Sequence, residues 1–382
     1  MRKRIVAMLL AVCLYLSLVP VAKAVELEIA APSAILMDAA TGTILFEKNS
    51  HERLAPASVT KVMTLLLVME ALESGRISWD DTVIASETAA AKGGSQVYLE
   101  VGEQMSMDDM LKSVVVSSAN DCATALAEHV AGSETAFVQM MNDRAAELGC
   151  ADTHFVNCTG LDDEPNAAEH LTSAHDIAIM SRALLSHSEI KNYTTIWMDT
   201  VRDGKFGLSN TNKLVRFYEG TTGLKTGYTS SAGHCLSASA ERDGIELIAV
   251  VLNCASSTDR FESAKALLNY GFANYALVST QPSEPLPTVR VLLGRQSILT
   301  PVLQQSAPLL IEKSEQAQVR KTVTLEEEVT APIAAGQQLG TLTIETDSRV
   351  LAEIPIIAPS AVEKLSLWEM TVNILRMLCM GS

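Results

Sequence analysis

In the segment APASVTK, Ser58 precedes Lys61 by three residues, a spacing that at a helix start sets both side chains on one face, a turn apart. A serine hydroxyl is a weak nucleophile until a neighbouring base takes its proton. A lysine serves as that base when burial or a nearby cation brings its pKa down towards neutrality. The helix start adds a free backbone N–H at Ser58 that can face a developing oxyanion. A plainer arrangement of the same two residues is a helix cap at position 58 and a solvated lysine at 61. Two further triplets carry side chains suited to lining a cleft. Ser118-Ala119-Asn120 lies between two helical runs, and Lys225-Thr226-Gly227 enters the strand that leads to HCLSASA.

The elements that position these residues follow from pattern. SAILMD, residues 33–38, reads as a strand, Ala39-Ala40-Thr41-Gly42 as its turn, and Thr43 to Lys48 as the returning strand. Val62, Leu65, Leu66, Met69 and Leu72 recur at helical spacing and predict one buried face of a helix entered at Ser58. Helices are also expected at MDDMLKSVVV, at DCATALAEHV and after Ser133-Glu134. The alternation on either side of Asp243-Gly244 predicts an antiparallel hairpin of two long strands, and Thr258 is placed to cap a last helix running towards Tyr270. Strands at both ends around a helical middle suit an α+β domain whose terminal strands share one antiparallel sheet. Pro282, Pro285 and Pro287 then mark a linker, and short β-like runs continue to about Pro359. Five parts are expected: 1–24, 25–275, 276–287, 288–359 and 360–382.

Composition narrows the function. The chain has 382 residues, 48% hydrophobic and 19% charged, which is enough for a large packed domain and a smaller one. A formal net charge of −16 leaves no basic surplus for nucleic acid. Arg2, Lys3 and Arg4, the apolar run from Ile5 to Val21 and Ala22-Lys23-Ala24 form the pattern of a cleaved signal peptide, so an exported chain starting at Val25 is expected. Cleavage removes four cations and no acids, taking the charge from −16 to −20. Cys13 leaves with that signal and Cys379 sits at the far end. Cys122, Cys150, Cys158, Cys235 and Cys254 show no C-x-x-C and no metal-ligand spacing, so buried thiols and no structural metal are expected. From Ala361 to Met380, Ser366, Glu369, Asn373 and Arg376 form a narrow polar stripe on an otherwise apolar helix. That pattern predicts a helix lying in a lipid interface with Trp368 at headgroup depth; docking on protein is the alternative.

S-x-x-K, S-x-N and K-T-G occur here in the order that marks class A β-lactamases and penicillin-binding proteins. The chain resembles a low-molecular-weight penicillin-binding protein of the D-alanyl-D-alanine carboxypeptidase family, the type with a second β domain. SAILMDAATGTILFEKN, RLAPASVTKVMT, SSANDCA, NTNKL, GTTGLKTGYTSSAGHC and ERDGIELIAVVL carry the resemblance, over roughly residues 31–275. It implies a β-lactamase/transpeptidase-like catalytic domain, a small all-β domain, no cofactor and no metal. It further implies attack by Ser58 on the bond between the last two D-alanines of a peptidoglycan stem peptide, acylation by β-lactam antibiotics, and residence on the outer face of the cytoplasmic membrane.

By the same resemblance Lys61 is the general base, and the backbone N–H groups of Ser58 and Tyr228 form the oxyanion hole. Ser118 relays a proton towards the leaving amine. Asn120 holds the substrate amide, while Lys225, Thr226 and Gly227, with Arg260, meet its terminal carboxylate; a surface helix residue is the plainer reading of Arg260. Thr159 stands before Gly160-Leu161 where members often carry His, and Ala119 where Gly is frequent. Asp176 fits a position that ties down the same loop. Two other functions share the motifs. A β-lactamase needs a carboxylate to activate water, and Glu164-Pro165 invites that reading, but Ala168 stands where Asn is wanted. A non-catalytic cell-wall binder or penicillin sensor would keep the pocket and lose turnover.

Overall fold

The computed structural model describes residues 27–380; the expected signal segment with Cys13, and the side chain of Cys379, lie outside what is described. The chain divides into two compact units. The first comprises the described residues up to Met37 with Phe46–Ala238 and Ile248–Tyr270; the second comprises Asp38–Leu45, Ser239–Leu247 and the residues from Gly271 on.

In chain order the site-bearing elements are β1 (Ser33–Asp38), β2 (Ile44–Lys48), α1 (Lys61–Glu73), α2 (Met107–Ser117), α3 (Asn120–Ala131), α4 (Glu134–Glu147), α5 (Ala174–Leu185), β3 (Thr221–Thr229), β4 (Gly233–Arg242), β5 (Ile245–Cys254) and α6 (Ser257–Asn274). One five-stranded sheet runs in the order β2-β1-β5-β4-β3, so N- and C-terminal strands share it. β4 and β5 are joined by Asp243 and Gly244 alone, both with positive φ (52° and 78°), the backbone of a tight hairpin turn.

α1 departs from the amphipathic pattern. Met63, Thr64, Leu67 and Val68 are buried along with the predicted face, so the helix is covered on nearly all sides and only Glu70 and Glu73 escape. Its first turn is also different: Ala57–Thr60 is a 3-10 turn, and the α-helix begins at Lys61. Neither Pro56, the N-cap of that turn, nor Thr60, the N-cap of the α-helix, makes a side-chain cap bond, and Ser58 occupies neither cap position. The last helix is capped by Ser256 rather than Thr258, since the Asp259 N–H donates to Ser256 Oγ at 3.1 Å. Cys122, Cys150, Cys158, Cys235 and Cys254 are buried free thiols.

The second unit is built from short strands. Tyr275–Val278 pairs antiparallel with Leu309–Glu312, so the chain is already in a sheet before the proline-rich stretch. A three-stranded sheet and a four-stranded sheet follow, with separate apolar clusters centred on Val289, Val291 and Leu339 and on Leu342, Ile344 and Ile356. The predicted helix start at Ala361 moves to Leu367. Val362 and Lys364 make bridges to Ile333 and Gly294, so these residues stay extended, and Ser366 with Glu369 forms a reciprocal capping box. On the helix, Leu367 is 83% and Trp368 76% exposed, and Ile374 and Leu375 are exposed as well. Among the described residues no helix is long and apolar enough to cross a membrane.

Candidate active site

The 3-10 turn that carries Ser58 is held from two sides by backbone, and each contact requires glycine. A Cβ at Gly160, where φ is +82°, would lie 1.8 Å from the Ala57 carbonyl oxygen. A Cβ at Gly227 would lie 2.6 Å from the Pro56 oxygen and 3.0 Å from the nitrogens of Ser58 and Val59. The KTG glycine thus lets β3 approach the Ser58 turn closely.

Lys61 is fully buried and not the solvated residue of the plainer reading. Its Nζ lies 3.0 Å from Ser58 Oγ, 2.5 Å from Asn120 Oδ1 and 2.8 Å from the Thr159 carbonyl oxygen. Two of these partners are oxygens that can only accept. A neutral amine therefore spends its two N–H groups on Asn120 and Thr159, and its lone pair is left for the Ser58 hydroxyl. Burial, more than any neighbouring charge, lowers the Lys61 pKa from 10.5 to about 7. An amine near half neutral at pH 7, beside a hydroxyl, is the arrangement that general-base activation needs.

Asn120 opens α3 and is fixed twice more: its Nδ2 donates to Gly93 O at 2.8 Å and its backbone N–H to Ser95 O at 2.7 Å. Ser118 ends α2 in the left-handed region (φ 64°) and is buried. Asp121, which sequence reasoning passed over, is fully buried and accepts the backbone N–H groups of Val97 and Leu99, so it anchors the segment that carries Gly93 and Ser95. Its adjacency to Asn120 was the available signal.

On the opposite strand, Lys225 is buried and donates to Thr226 O at 2.9 Å. Burial first, then the cations of Lys61 and Arg260, hold its pKa well below the usual lysine value. Thr226 Oγ1 donates to Thr211 Oγ1 at 2.6 Å, which gives the NTNKL segment its place beside the KTG strand. The Tyr228 ring is 60% exposed and stacks on His234 with centroids 4.3 Å apart. Arg260 is buried, against its surface reading. Its Nη1 donates to the carbonyls of Gly227 (3.0 Å) and Cys235 (3.2 Å), and Nη2 to Ser257 Oγ (3.3 Å), so it braces β3 and β4 from α6.

Asp176 holds the segment ahead of Thr159 rather than the loop that follows it. Asp176 Oδ2 accepts from the Asp152 N–H and the Thr153 hydroxyl, both at 2.8 Å. Glu164, the carboxylate a β-lactamase would free for water, is paired with Lys92 at 2.5 Å, and Lys92 also holds Glu134 at 2.7 Å. Among the described residues no cluster of His, Cys, Asp and Glu could hold a metal.

An α+β fold with a serine and a buried lysine at the head of its central helix, faced by a KTG strand, defines a serine peptidase of the acylating kind. Residues 20–256 match the family model described as D-alanyl-D-alanine carboxypeptidase, and residues 280–364 match that of the penicillin-binding protein 5 C-terminal domain. The chain is 42% identical to the D-alanyl-D-alanine carboxypeptidase DacF of Bacillus subtilis (strain 168) over 89% of this chain and 87% of that one. It is 33% identical to DacC of Escherichia coli (strain K12), over 90% and 88%. Penicillin binding protein 5 from Haemophilus influenzae superposes with a TM-score of 0.72 at 31% identity, covering 88% of this chain and 98% of its own. Penicillin-binding protein D2 from Listeria monocytogenes, solved in an ampicillin-bound form, superposes with a TM-score of 0.59 at 30% identity, covering 65% and 99%. The chain belongs to the D-alanyl-D-alanine carboxypeptidase family.

Proposed function

We propose that this chain removes the terminal D-alanine from peptidoglycan stem pentapeptides through an acyl-serine, with Ser58 as nucleophile and Lys61 as base. The observation that carries the reading is the Lys61 amine, buried and set with its lone pair towards Ser58 Oγ. Neutral Lys61 takes the hydroxyl proton as Oγ bonds to the carbonyl carbon of the D-Ala–D-Ala bond. The backbone N–H groups of Ser58 and Tyr228 hold the oxyanion, a role supported by the close seat of Gly227 on the Ser58 backbone. Ser118 relays the proton to the leaving nitrogen, the C–N bond breaks, and D-alanine departs. Water then adds to the ester, Lys61 takes its proton, and Ser58 Oγ leaves with a proton restored.

Asn120 orients the substrate amide. Lys225, Thr226 and Gly227 receive the terminal carboxylate, and Arg260 acts on it through the Gly227 carbonyl and through its own charge. A β-lactam offers Ser58 the same acyl chemistry, as the ampicillin complex of the Listeria protein supports for the family. Glu164 is paired with Lys92, and with Lys61 rather than a carboxylate as the water-activating base the penicilloyl ester is expected to hydrolyse slowly, so penicillin inhibits.

The expected signal peptide implies export, and the exposed apolar residues Leu367, Trp368, Ile374 and Leu375 support seating of the last helix in the outer face of the cytoplasmic membrane. Residues 288–359 then serve as a spacer between that helix and the catalytic domain of residues 25–275. Incubation of the protein with diacetyl-Lys-D-Ala-D-Ala tests the activity. Free D-alanine that disappears in Ser58→Ala is expected; stoichiometric penicillin labelling with no D-alanine release contradicts it.

A further inference from the structure

His170 stands 110 residues from Thr60 in sequence, yet its Nε2 lies 2.7 Å from Thr60 Oγ1. The ring is only 3% exposed and both of its nitrogens are engaged. The Val156 backbone N–H donates to Nδ1 at 3.1 Å, which requires Nδ1 to be bare, so the ring proton sits on Nε2 and is given to Thr60. The Thr60 hydroxyl passes its own proton to the Ala57 carbonyl at 2.8 Å. Ala57 is in the left-handed region (φ 48°) immediately before Ser58, and its carbonyl is the atom on which Gly160 rests. One hydrogen-bonded chain thus runs from the histidine to the peptide unit that sets the nucleophile.

The other end of the same ring meets a loop. Val156 and His170 bracket residues 157–169, whose ends are also joined by reciprocal backbone bonds between His154 and Leu171 (2.8 and 3.1 Å). Within that loop Thr159 offers the carbonyl that takes an N–H of Lys61. We infer that His170 is a positioning residue for acylation: through Thr60 it fixes the backbone before Ser58, while through Val156 it adds one bond to a loop that His154 and Leu171 already close. The surroundings suit this role. Phe155 meets the ring edge-on at 5.6 Å, and burial with the neighbouring His154 and Lys61 holds the pKa at about 4, which keeps the required tautomer neutral.

The inference rests on Ser58 being the acylated residue, and its test separates the two. His170→Asn keeps an acceptor for Val156 but loses the donor to Thr60, whereas His170→Gln keeps the donor and loses the acceptor. The second-order rate of penicillin acylation is measured on protein titrated for folded sites, alongside the melting temperature. His170→Asn is expected to slow acylation by about tenfold or more, and His170→Gln by less than about threefold, although both melt earlier. Thr60→Val, which leaves the loop closure in place, is expected to match His170→Asn, and the double variant to be no slower than either. Should both histidine variants fail to fold, Thr60→Val alone decides. Equal slowing by Asn and Gln, or wild-type acylation in His170→Asn or Thr60→Val, overturns the role of the chain. Labelling of Ser58→Ala would instead overturn the nucleophile assignment.

Discussion

Lys61 and Lys225 make an instructive pair. Both are buried, on opposite walls of the site, and burial is the leading cause that pushes each pKa down. They differ in what surrounds the amine. Lys61 has two carbonyl-type acceptors and one hydroxyl, which aim its lone pair; Lys225 has the Thr226 carbonyl and the nearby cations of Lys61 and Arg260. Burial therefore makes both lysines easy to deprotonate; in the proposed function it is the set of partners that separates a base from a group that meets a carboxylate.

Removing the amine tests that division most severely. Lys61→Met is expected to lower the penicillin acylation rate by about a thousandfold or more, measured by stopped-flow or labelling kinetics. It should also weaken a pH dependence of stability. The folded pKa of about 7 lies below the ordinary 10.5, so between these values the unfolded chain binds more protons and wild-type stability rises with pH, by several kcal/mol in all. Chemical denaturation across pH 7–10 should show a steeper rise in the wild type than in Lys61→Met, where the depressed pKa of Lys225 supplies the slope that remains.

Gly160→Ala attacks the same wall from its backbone. With a Cβ against the Ala57 carbonyl and a positive φ, it is expected to cost about 2–4 kcal/mol of stability and roughly a hundredfold in acylation, read by denaturation and labelling. On the opposite wall, Lys225→Met is expected to raise KM for the tripeptide about tenfold or more with a smaller fall in kcat, because a carboxylate contact is lost rather than a proton acceptor. An equal collapse of kcat would erase the distinction between the lysines. The smallest effect is expected in the second unit: truncation after Leu365 should change tripeptide turnover by less than about twofold while abolishing sedimentation with lipid vesicles. Continued sedimentation would refute the anchor.

Much of this arrangement was legible in the chain. Side-chain chemistry at short spacing, as in Ser58 with Lys61 and Ser118 with Asn120, is local and appears as a motif. Asp243-Gly244 announced its hairpin because few residues tolerate its backbone. What stayed hidden depends on tertiary packing or on main-chain atoms. The Thr159 carbonyl that orients Lys61 has no side-chain signature, and the bond from His170 to Thr60 joins residues too distant for any pattern. The strongest periodic residues of the helix from Lys61 describe a single face, whereas Met63, Leu67 and Val68 cover the remaining ones. Ser256 and Thr258 are both acceptable caps by type; only the geometry at Asp259 separates them.

The pH dependence of acylation bears on the assignment of Lys61 as base more directly than any substitution. The second-order rate constant for penicillin, measured from pH 5 to 9 on the wild-type protein, should rise about tenfold per unit at low pH and level off around the Lys61 pKa of about 7. A profile that is flat through neutrality, or that climbs only towards the ordinary lysine value of 10.5, would contradict a buried neutral amine as the base for Ser58.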